Sequence, residues 1–434
     1  MSAGIRDRAK TMTNHHKPGN WQPGASFQRR PAASATKSSA TKVEPSHPAP
    51  PLPNPDRGSD AAPTNALRVS AFNCDALAEV KPHALGLTYE FLAAPEGDPY
   101  SVTIAFEGRR TGVKHQPRPG DRFTLSTTVE KVLPGSGRVA VTTRVPDVTP
   151  GSWHVVARPS VHPIGSDRKP SGGARPVLPR LAGGSAEGST GWAPVIAQKA
   201  PGVVLGSWAA LVGLGAGVGL IVQAILAGLL GLPVFGVFLV SVLASLIGLV
   251  GAKVYYLAVY PAARRQPLNG GGMCIQGFVI GAAVGLIVGA LAVGVEIGSL
   301  LDITAPPLMF GMMIGRFGCF FSGCCVGRPT ASRWGLWSSD RRLGVRRIPT
   351  QLFESALAAT VGVIALVVLV TAGLPELGGT IFVGALAAYV GGRQLLLPLR
   401  AESSKTRHGR AITLAGAATV LLAAIVVAII TYAS

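Results

Sequence analysis

Apolar residues are concentrated in the second half of this chain. From Val203 onward, long runs of Leu, Val, Ala, Gly and Ile alternate with short polar stretches. A run of about 20 apolar residues is long enough to cross a bilayer as a helix. Such runs lie near residues 203–229, 234–257, 273–295, 305–326, 353–373, 378–397 and 411–432. The pattern predicts about seven transmembrane helices in a membrane domain that covers residues 201–434.

A different pattern covers residues 66–160. Alternating or β-branched stretches such as YSVTIAF and RVAVTTRV are separated by turn sequences such as PEGDP and LPGSG. This spacing is typical of short strands and predicts a small all-β, sandwich-like domain. Residues 1–65 are basic and rich in Pro and Ser, which predicts a disordered tail. Residues 161–200, rich in Gly, Pro and Arg, are expected to form a flexible linker.

The predicted fold class is therefore an α-helical integral membrane protein that carries a disordered tail and a β domain in front of its helices. The formal net charge is +19. In a membrane protein, such a charge mainly reports loops and tails that face anionic lipid. A nucleic-acid partner is not expected, because no basic helix interleaved with aromatic residues is visible in the sequence.

One arginine, Arg316, lies inside an apolar run, LMFGMMIGRFGCFF. A charged side chain at bilayer depth costs roughly 2.5–3.5 kcal/mol on insertion scales, so it usually faces the protein interior and has a function. Arg393 and Arg400 are seven residues apart and are expected on one helical face with Tyr389. Guanidinium groups bind phosphate bidentately and stay charged. The pattern indicates a site for a phosphate ester, although Arg400 could instead only anchor a helix end at the headgroups.

Seven crossings place the polar groups at the span ends on one side of the membrane. The N-terminal ends of spans three and five and the C-terminal ends of spans four and six lie on that side. The side chains expected to meet there are Gln276, Arg316, Gln351, Glu354, Tyr389, Arg393 and Arg400.

Four motifs occur in order along the membrane half. They contain Gly271, Gly272, Met273 and Gly277; Gly315, Arg316, Gly318, Phe320, Gly327 and Arg328; Pro349, Gln351, Leu352 and Glu354; and Tyr389, Arg393 and Arg400. These motifs resemble those of the prolipoprotein diacylglyceryl transferase family, whose signature is similar to G-R-x-G-N-F-x-N-x-E-x-x-G-R. The resemblance covers the membrane half only.

The resemblance implies a function. Members of the family transfer diacylglyceryl from phosphatidylglycerol to the cysteine thiol of a prolipoprotein, with glycerol phosphate as the leaving group, in the bacterial plasma membrane. The catalytic residues implied are Arg316, Arg393, Gln276, Glu354 and Tyr389. The substrate-binding residues implied are Gly315, Gly318, Gly327, Arg328, Gln351 and Arg400. No cofactor and no metal are expected.

Several positions depart from the family pattern. Gln276 stands at the position of the family's histidine, Cys319 at its asparagine and Cys324 at its acidic residue. Leu397 and Ile348 replace a glutamate and a second histidine. A glutamine cannot serve as a general base near neutral pH. The phosphate-binding part of the chemistry is therefore better supported than the thiol-activating part.

Four cysteines of the membrane half, Cys274, Cys319, Cys324 and Cys325, are possible reactive thiols that could converge beside the arginines. Three interpretations are open for them. They could be small apolar fillers, a nucleophile or redox pair whose thiol pKa is lowered by guanidinium groups, or a metal site. Two alternatives to the transferase are also open: a divergent phospholipid-binding enzyme that uses cysteine chemistry, and a membrane anchor that displays the β domain to a partner.

Membrane orientation is a further open question. Lys and Arg are concentrated in the loops after spans two, four and six, and a bias of this kind favours the cytoplasmic side for those loops and for the N-terminus. The family resemblance implies the opposite orientation, with the reactive face outside.

Overall fold

The structure of the chain, a computed structural model, describes residues 66–70, 81–113, 116, 118–164, 178–261, 264, 272–402 and 408–433. The predicted tail, residues 1–65, lies outside these ranges, so its disorder stays a prediction. The chain divides into two compact units. One contains residues 239–292, and the other contains residues 54–238 and 293–434.

Two antiparallel sheets form the predicted β domain. Its strands are β1 (Leu67–Ser70), β2 (His83–Leu92), β3 (Tyr100–Arg110), β4 (Arg122–Val132), β5 (Arg138–Pro146), β6 (Ser152–Pro163), β7 (Gly184–Ser189), β8 (Gly191–Trp192), β9 (Leu336–Ser339) and β10 (Leu343–Arg347). One sheet has the order β1-β2-β5-β10-β9 with β8 against β2, and the other has the order β4-β3-β6-β7. Alternate side chains of β3 are buried, as the period-two pattern predicts, and pack around the buried Trp153 and Tyr89.

The β domain extends beyond the predicted residues 66–160. Strands β7 and β8 lie in the predicted linker, residues 161–200, so that segment is not a linker throughout. Strands β9 and β10 come from the loop after the fourth long helix. Leu343 and Gly344 of β10 pair with Val141 and Ala140 of β5, and Val345 enters the core of the β domain. These strands of four and five residues escape sequence analysis because tertiary pairing, not a local pattern, stabilises them.

Seven helices in the described residues are long and apolar enough to cross a membrane, which confirms the prediction. They are α1 (Ser207–Leu229), α2 (Val234–Val259), α3 (Ile275–Val293), α4 (Ile297–Ser322), α5 (Thr350–Ala372), α6 (Thr380–Leu396) and α7 (Gly409–Ala433). In the second unit, α4 packs against α1, α5 and α6, and α6 packs against α5 and α7. This arrangement places α4, α5 and α6 side by side, and these three helices carry most of the predicted site.

Helix α4 begins at Ile297, well before the predicted start near residue 305. Asp302 lowers the local hydropathy before residue 305, so the apolar window misses this part of the helix. The carboxylate of Asp302 is fully buried and accepts hydrogen bonds from the backbone N–H groups of Gly379, at 2.7 Å, and Phe382, at 3.0 Å. Asp302 therefore satisfies backbone donors at the start of α6, as a capping residue does.

Glycines bring α1 and α4 close together. A Cβ added at Gly215 would lie 2.7 Å from the carbonyl oxygen of Gly311 on α4, so neither position has room for a larger side chain. Farther along the same interface, a Cβ at Gly318 would lie 3.2 Å from the Cα of Trp208. The glycine-rich face of α4 thus packs against α1.

Candidate functional site

Three arginines meet one buried carboxylate at the end of the second unit's helices. Arg316 Nη1, from α4, lies 2.9 Å from Glu354 Oε2, on α5. Arg393 Nε, from α6, lies 3.9 Å from Glu354 Oε1, and Arg400 Nη1 lies 3.6 Å from the same oxygen. Arg316 Nη2 also donates a hydrogen bond of 2.9 Å to the hydroxyl of Tyr389. We call Arg316, Arg393, Arg400 and Glu354 the arginine cluster.

The arginine cluster runs from the protein interior to its surface. The side chains of Glu354 and Arg400 are 2% and 5% exposed, that of Arg316 is 15% exposed, and that of Arg393 is 42% exposed. An ionised carboxylate is stable at such depth only when cations lie close to it. The gradient of exposure leaves the Arg393 side open to a ligand from outside.

Arg400 reaches the cluster by a different route from the one predicted. Helix α6 ends at Leu396 and continues as a single 3-10 turn, Leu397–Leu399, after which Arg400 is extended, with φ −79° and ψ 150°. Arg393 and Arg400 are therefore not on one helical face, and that prediction is wrong. Pro398 explains the break, since its ring prevents the α-helix from continuing.

The cluster has unused charge and unused hydrogen-bonding capacity. Three guanidinium groups and one carboxylate leave a net charge of +2 in the cluster. Among the described residues, neither Glu354 oxygen nor Arg400 Nε has an aligned hydrogen-bond partner. The contact of Arg316 with Glu354 is thus an ion pair without hydrogen-bond alignment. Unpaired buried polar atoms cost roughly 1–3 kcal/mol each, so an anionic ligand would find donors there that lack partners.

The loop after α4 borders the cluster and is held by several of the predicted residues. Gln351 Nε2 donates to the carbonyl oxygen of Cys324 at 3.0 Å. Arg328 Nε donates to the carbonyl oxygen of Arg400 at 3.2 Å, and Gly327 forms a β-bridge with Arg400. In the structure, Gln351, Gly327 and Arg328 therefore position Arg400 and the loop; a direct contact of these residues with substrate stays a prediction.

Arg347 is not among the site residues that the sequence predicts. Its side chain is buried, donates to the carbonyl oxygen of Gly327 at 3.2 Å and pairs with Asp340 at 2.7 Å. Arg347 therefore supports the loop from inside the protein. The sequence gives no local signal for this role, because Arg341, Arg342 and Arg346 lie in the same loop and nothing in the residue order distinguishes Arg347 from them.

Three of the four membrane-half thiols come together beside the arginine cluster. The Sγ atoms of Cys319, Cys324 and Cys325 all lie within 4.8 Å of one another. Hydrogen bonds from the thiols of Cys319 and Cys324 lower the pKa of the Cys325 thiol below its ordinary value, and the positive charges of Arg400 and Arg316 add to this effect. We call these three residues the thiol cluster.

Four predicted residues remain: Gln276, Cys274, Gly315 and Gly318. Gln276 and Cys274 stand at the start of α3, in the unit of residues 239–292, so their part in the site stays a prediction. Gly315 and Gly318 lie on the face of α4 that packs against α1, where added Cβ atoms would be 3.7 Å from Val212 and 3.2 Å from Trp208. Their part in substrate binding also stays a prediction.

A family profile described as prolipoprotein diacylglyceryl transferase matches residues 195–432, which is more than half of the 434-residue chain. The chain belongs to the prolipoprotein diacylglyceryl transferase family. The match begins just before α1 and covers all seven helices, as expected for a multi-pass membrane protein. It also covers both clusters.

Individual relatives in the family carry the name phosphatidylglycerol–prolipoprotein diacylglyceryl transferase. A relative from Dehalococcoides mccartyi is 33% identical over 117 residues, which are 26% of this chain and 44% of the relative. One from Nostoc sp. is 33% identical over 168 residues, 35% of this chain and 59% of the relative. A Streptomyces coelicolor relative is 32% identical over 177 residues, 37% of this chain and 55% of the relative. The chain spans about half the length of the curated relatives it matches.

Proposed function

We propose that the protein transfers diacylglyceryl from phosphatidylglycerol to the cysteine thiol of a prolipoprotein, in the plasma membrane of a bacterium. The relatives described above carry the name of this activity. The observation that carries the proposal is the convergence of three guanidinium groups, from Arg316, Arg393 and Arg400, on the single carboxylate of Glu354.

The phosphate of the lipid headgroup binds between the arginines. A phosphodiester has one negative charge, and the cluster has a net charge of +2, so binding is electrostatically favourable. The buried Nε of Arg400, which has no hydrogen-bond partner among the described residues, supplies a donor. Glu354 and Tyr389 hold the Arg316 guanidinium in place, which orients it before the substrate arrives.

The reaction increases the negative charge on the phosphate group that the arginines bind. The acceptor sulfur forms a bond to the diacylglyceryl carbon that carries the phosphate ester, and the bond from that carbon to the ester oxygen breaks. Glycerol phosphate leaves with a second negative charge on its phosphate. Because the cluster keeps an excess of positive charge, it stabilises the transition state more than the bound lipid.

Proton transfer is the part in which this chain differs from the family pattern. We propose that the acceptor cysteine reacts as its thiolate and that its proton goes to water, because the departing phosphate ester has a second pKa of about 6 and leaves as the dianion near neutral pH. Gln276, Cys319 and Cys324, which replace the family's histidine, asparagine and acidic residue, are not required as bases in this scheme. Glu354 is engaged by three cations and acts as a positioning residue.

A direct assay tests the proposal. The full-length protein in lipid nanodiscs is incubated with labelled phosphatidylglycerol and a peptide that carries a prolipoprotein cysteine, and the thioether product is identified by mass spectrometry. We expect product with the wild-type chain. Arg316→Ala should lower the rate by about 100-fold or more, as does removal of one donor to a developing anion.

Arg333→Ala is the matched control. Arg333 is exposed, stacks over the ring of Trp334 and lies in the loop after α4, outside the arginine cluster, so its loss should leave the rate nearly unchanged. The proposal fails if the wild-type chain gives no thioether while an active transferase does so in parallel. Full activity of Arg316→Ala would instead show that the arginine cluster does not hold the phosphate.

A further inference from the structure

The thiol cluster has a geometry that small apolar fillers do not need. Cys319 belongs to the last turn of α4, and Cys324 and Cys325 follow five and six residues later in the chain. All three Sγ atoms lie within 4.8 Å of one another, with Cys319 buried and the other two half-buried. Three sulfur atoms from a seven-residue segment, CFFSGCC, thus surround one point.

The backbone folds back sharply to bring the sulfur atoms together. Gly323 ends α4 in the left-handed conformation, with φ 69°, and the amide of Cys324 donates to the carbonyl oxygen of Cys319 at 3.0 Å. Cys325 also has a positive φ, 55°, which is uncommon for a residue with a Cβ. Such a conformation persists only where the surroundings determine it.

Neighbouring side chains hold this turn in place. Gln351 Nε2 donates to the carbonyl oxygen of Cys324 at 3.0 Å, and Arg341 Nε donates to that of Ser322 at 2.7 Å. The hydroxyl of Ser322 lies 3.3 Å from Cys324 Sγ. The three thiols are therefore preorganised by hydrogen bonds to the backbone around them, as the supporting groups of a metal site are.

We propose that Cys319, Cys324 and Cys325 form a three-coordinate site for a soft thiophilic ion, with Cu(I) as the ion that fits. Thiolates are the ligands that Cu(I) prefers. Sulfur atoms at about 2.3 Å from an ion in trigonal geometry are about 4.0 Å apart, which is within the spacing of the cluster. A metal site is one of the three roles that the sequence leaves open for these cysteines, and the family resemblance implies no metal.

Ligand number decides between ions. The metal-ligand group at this place contains the three cysteines and no histidine or carboxylate from the described part of the chain. Structural zinc sites take four protein ligands in a tetrahedron, so this group is one ligand short of a structural zinc site. Three thiolates complete a trigonal site without further ligands.

The charge of the surroundings fits an anionic complex. Three thiolates around one Cu(I) have a net charge of −2, and Arg400 and Arg316 lie close enough to act electrostatically on Cys325. The positive charge of the arginines would repel a free Cu(I) ion. The same charge attracts the anionic complex of Cu(I) with three thiolates. The inference rests on these side chains and not on the proposed transfer reaction.

Metal titration of the full-length protein tests the inference. The reduced, metal-free protein in detergent is titrated anaerobically with Cu(I) against a chromophoric Cu(I) chelator. X-ray absorption of the loaded protein then counts the sulfur neighbours. We expect one Cu(I) per chain with three sulfur neighbours at about 2.3 Å, and loss of this binding in Cys319→Ser, Cys324→Ser and Cys325→Ser.

Cys274→Ser is the matched control, because Cys274 is also a half-buried thiol of the membrane half but lies outside the thiol cluster. It should keep the full stoichiometry. Circular dichroism of each variant checks folding. In the wild-type protein, Cu(I) should also protect the three thiols, and not Cys274, from alkylation, which needs no variant. The inference is overturned by absence of stoichiometric binding, by two or fewer sulfur neighbours, by unchanged binding in a variant that carries all three Cys→Ser substitutions, or by displacement of Cu(I) by equimolar Zn(II).

Discussion

Glu354 is the residue to which the arginines of the site are bound. Its carboxylate is 2% exposed and lies within 4 Å of guanidinium groups from three separate segments. Without this carboxylate, three positive charges would face one another near the membrane interior. Glu354 therefore offsets the repulsion between the guanidinium groups and holds all three beside one carboxylate.

Glu354→Gln should destabilise the protein. Removal of one partner from a buried ion pair leaves uncompensated charge and costs about 3–5 kcal/mol. We expect a lower free energy of unfolding in detergent, measured by denaturant titration, and recovery of part of the loss when phosphate is added. Glu376→Gln, at an exposed position in the loop between α5 and α6, is the control and should have little effect. Equal stability of the two variants would contradict the role of Glu354.

Gly327 has no room for a side chain. A Cβ at this position would lie 2.0 Å from the carbonyl oxygen of Ile348. Gly327→Ala should shift the loop that bridges to Arg400 and cost about 1–3 kcal/mol, as overpacking does. Gly416→Ala, on α7 where nothing lies within 4 Å of an added Cβ, should be neutral or slightly stabilising. The comparison of unfolding midpoints and transfer rates of both variants tests this expectation.

At the scale of elements, the site depends on how α4, α5 and α6 are fixed relative to one another. Asp302 of α4 binds two backbone N–H groups in the first turn of α6, at the end of these helices away from the arginine cluster. The ion pairs of Glu354 link the same helices at the other end. Polar contacts at both ends thus hold α4, α5 and α6 relative to one another.

Loss of the Asp302 carboxylate should loosen the start of α6. We expect Asp302→Ala to speed hydrogen exchange at the amides of Gly379 and Phe382 and to cost about 1–3 kcal/mol, because two buried donors lose their partner. Asp302→Asn, which keeps one acceptor oxygen, should have a smaller effect. Thr360→Val is the control, since the Thr360 hydroxyl bonds only within its own helix. Exchange rates that match the wild type in Asp302→Ala would refute the capping role.

At the scale of the whole molecule, the β domain and the second unit's helices form one folded body. Strand β10, which follows α4, pairs with β5 of the β domain. Trp337 of β9 donates a hydrogen bond of 2.9 Å to the carbonyl oxygen of Arg138. The guanidinium of Arg138 in turn stacks over the Trp337 ring. The loop after α4 must therefore lie on the same side of the membrane as the β domain, whichever side that is.

Cysteine labelling of intact membranes tests this sidedness. Ser126→Cys in β4 and Trp334→Cys in the loop after α4 are exposed positions and should react with a membrane-impermeant maleimide from the same side. Glu376→Cys, in the loop between α5 and α6, should react only from the opposite side. Labelling of the wild-type chain gives the background from its own thiols. Reaction of positions 126 and 334 from opposite sides would be incompatible with the pairing of β5 and β10.

Features that depend on local composition can be predicted from the order of residues alone. Seven apolar runs predict seven helices, because hydrocarbon requires long helices with apolar side chains. Alternation predicts β2 to β6, and an isolated arginine in an apolar run marks Arg316 as part of a site. The family motifs add Glu354, Tyr389 and Arg393, which the structure brings together with Arg316.

Features that depend on contacts between distant residues or on backbone conformation are visible only in the folded chain. The pairing of β10 with β5 joins residues about two hundred positions apart, so no local pattern predicts it. The route of Arg400 depends on the turn at Pro398, and the thiol cluster depends on positive φ angles at Gly323 and Cys325. Packing and hydrogen bonds around the turn determine backbone reversals of this kind. These contacts cannot be predicted from the local order of residues alone.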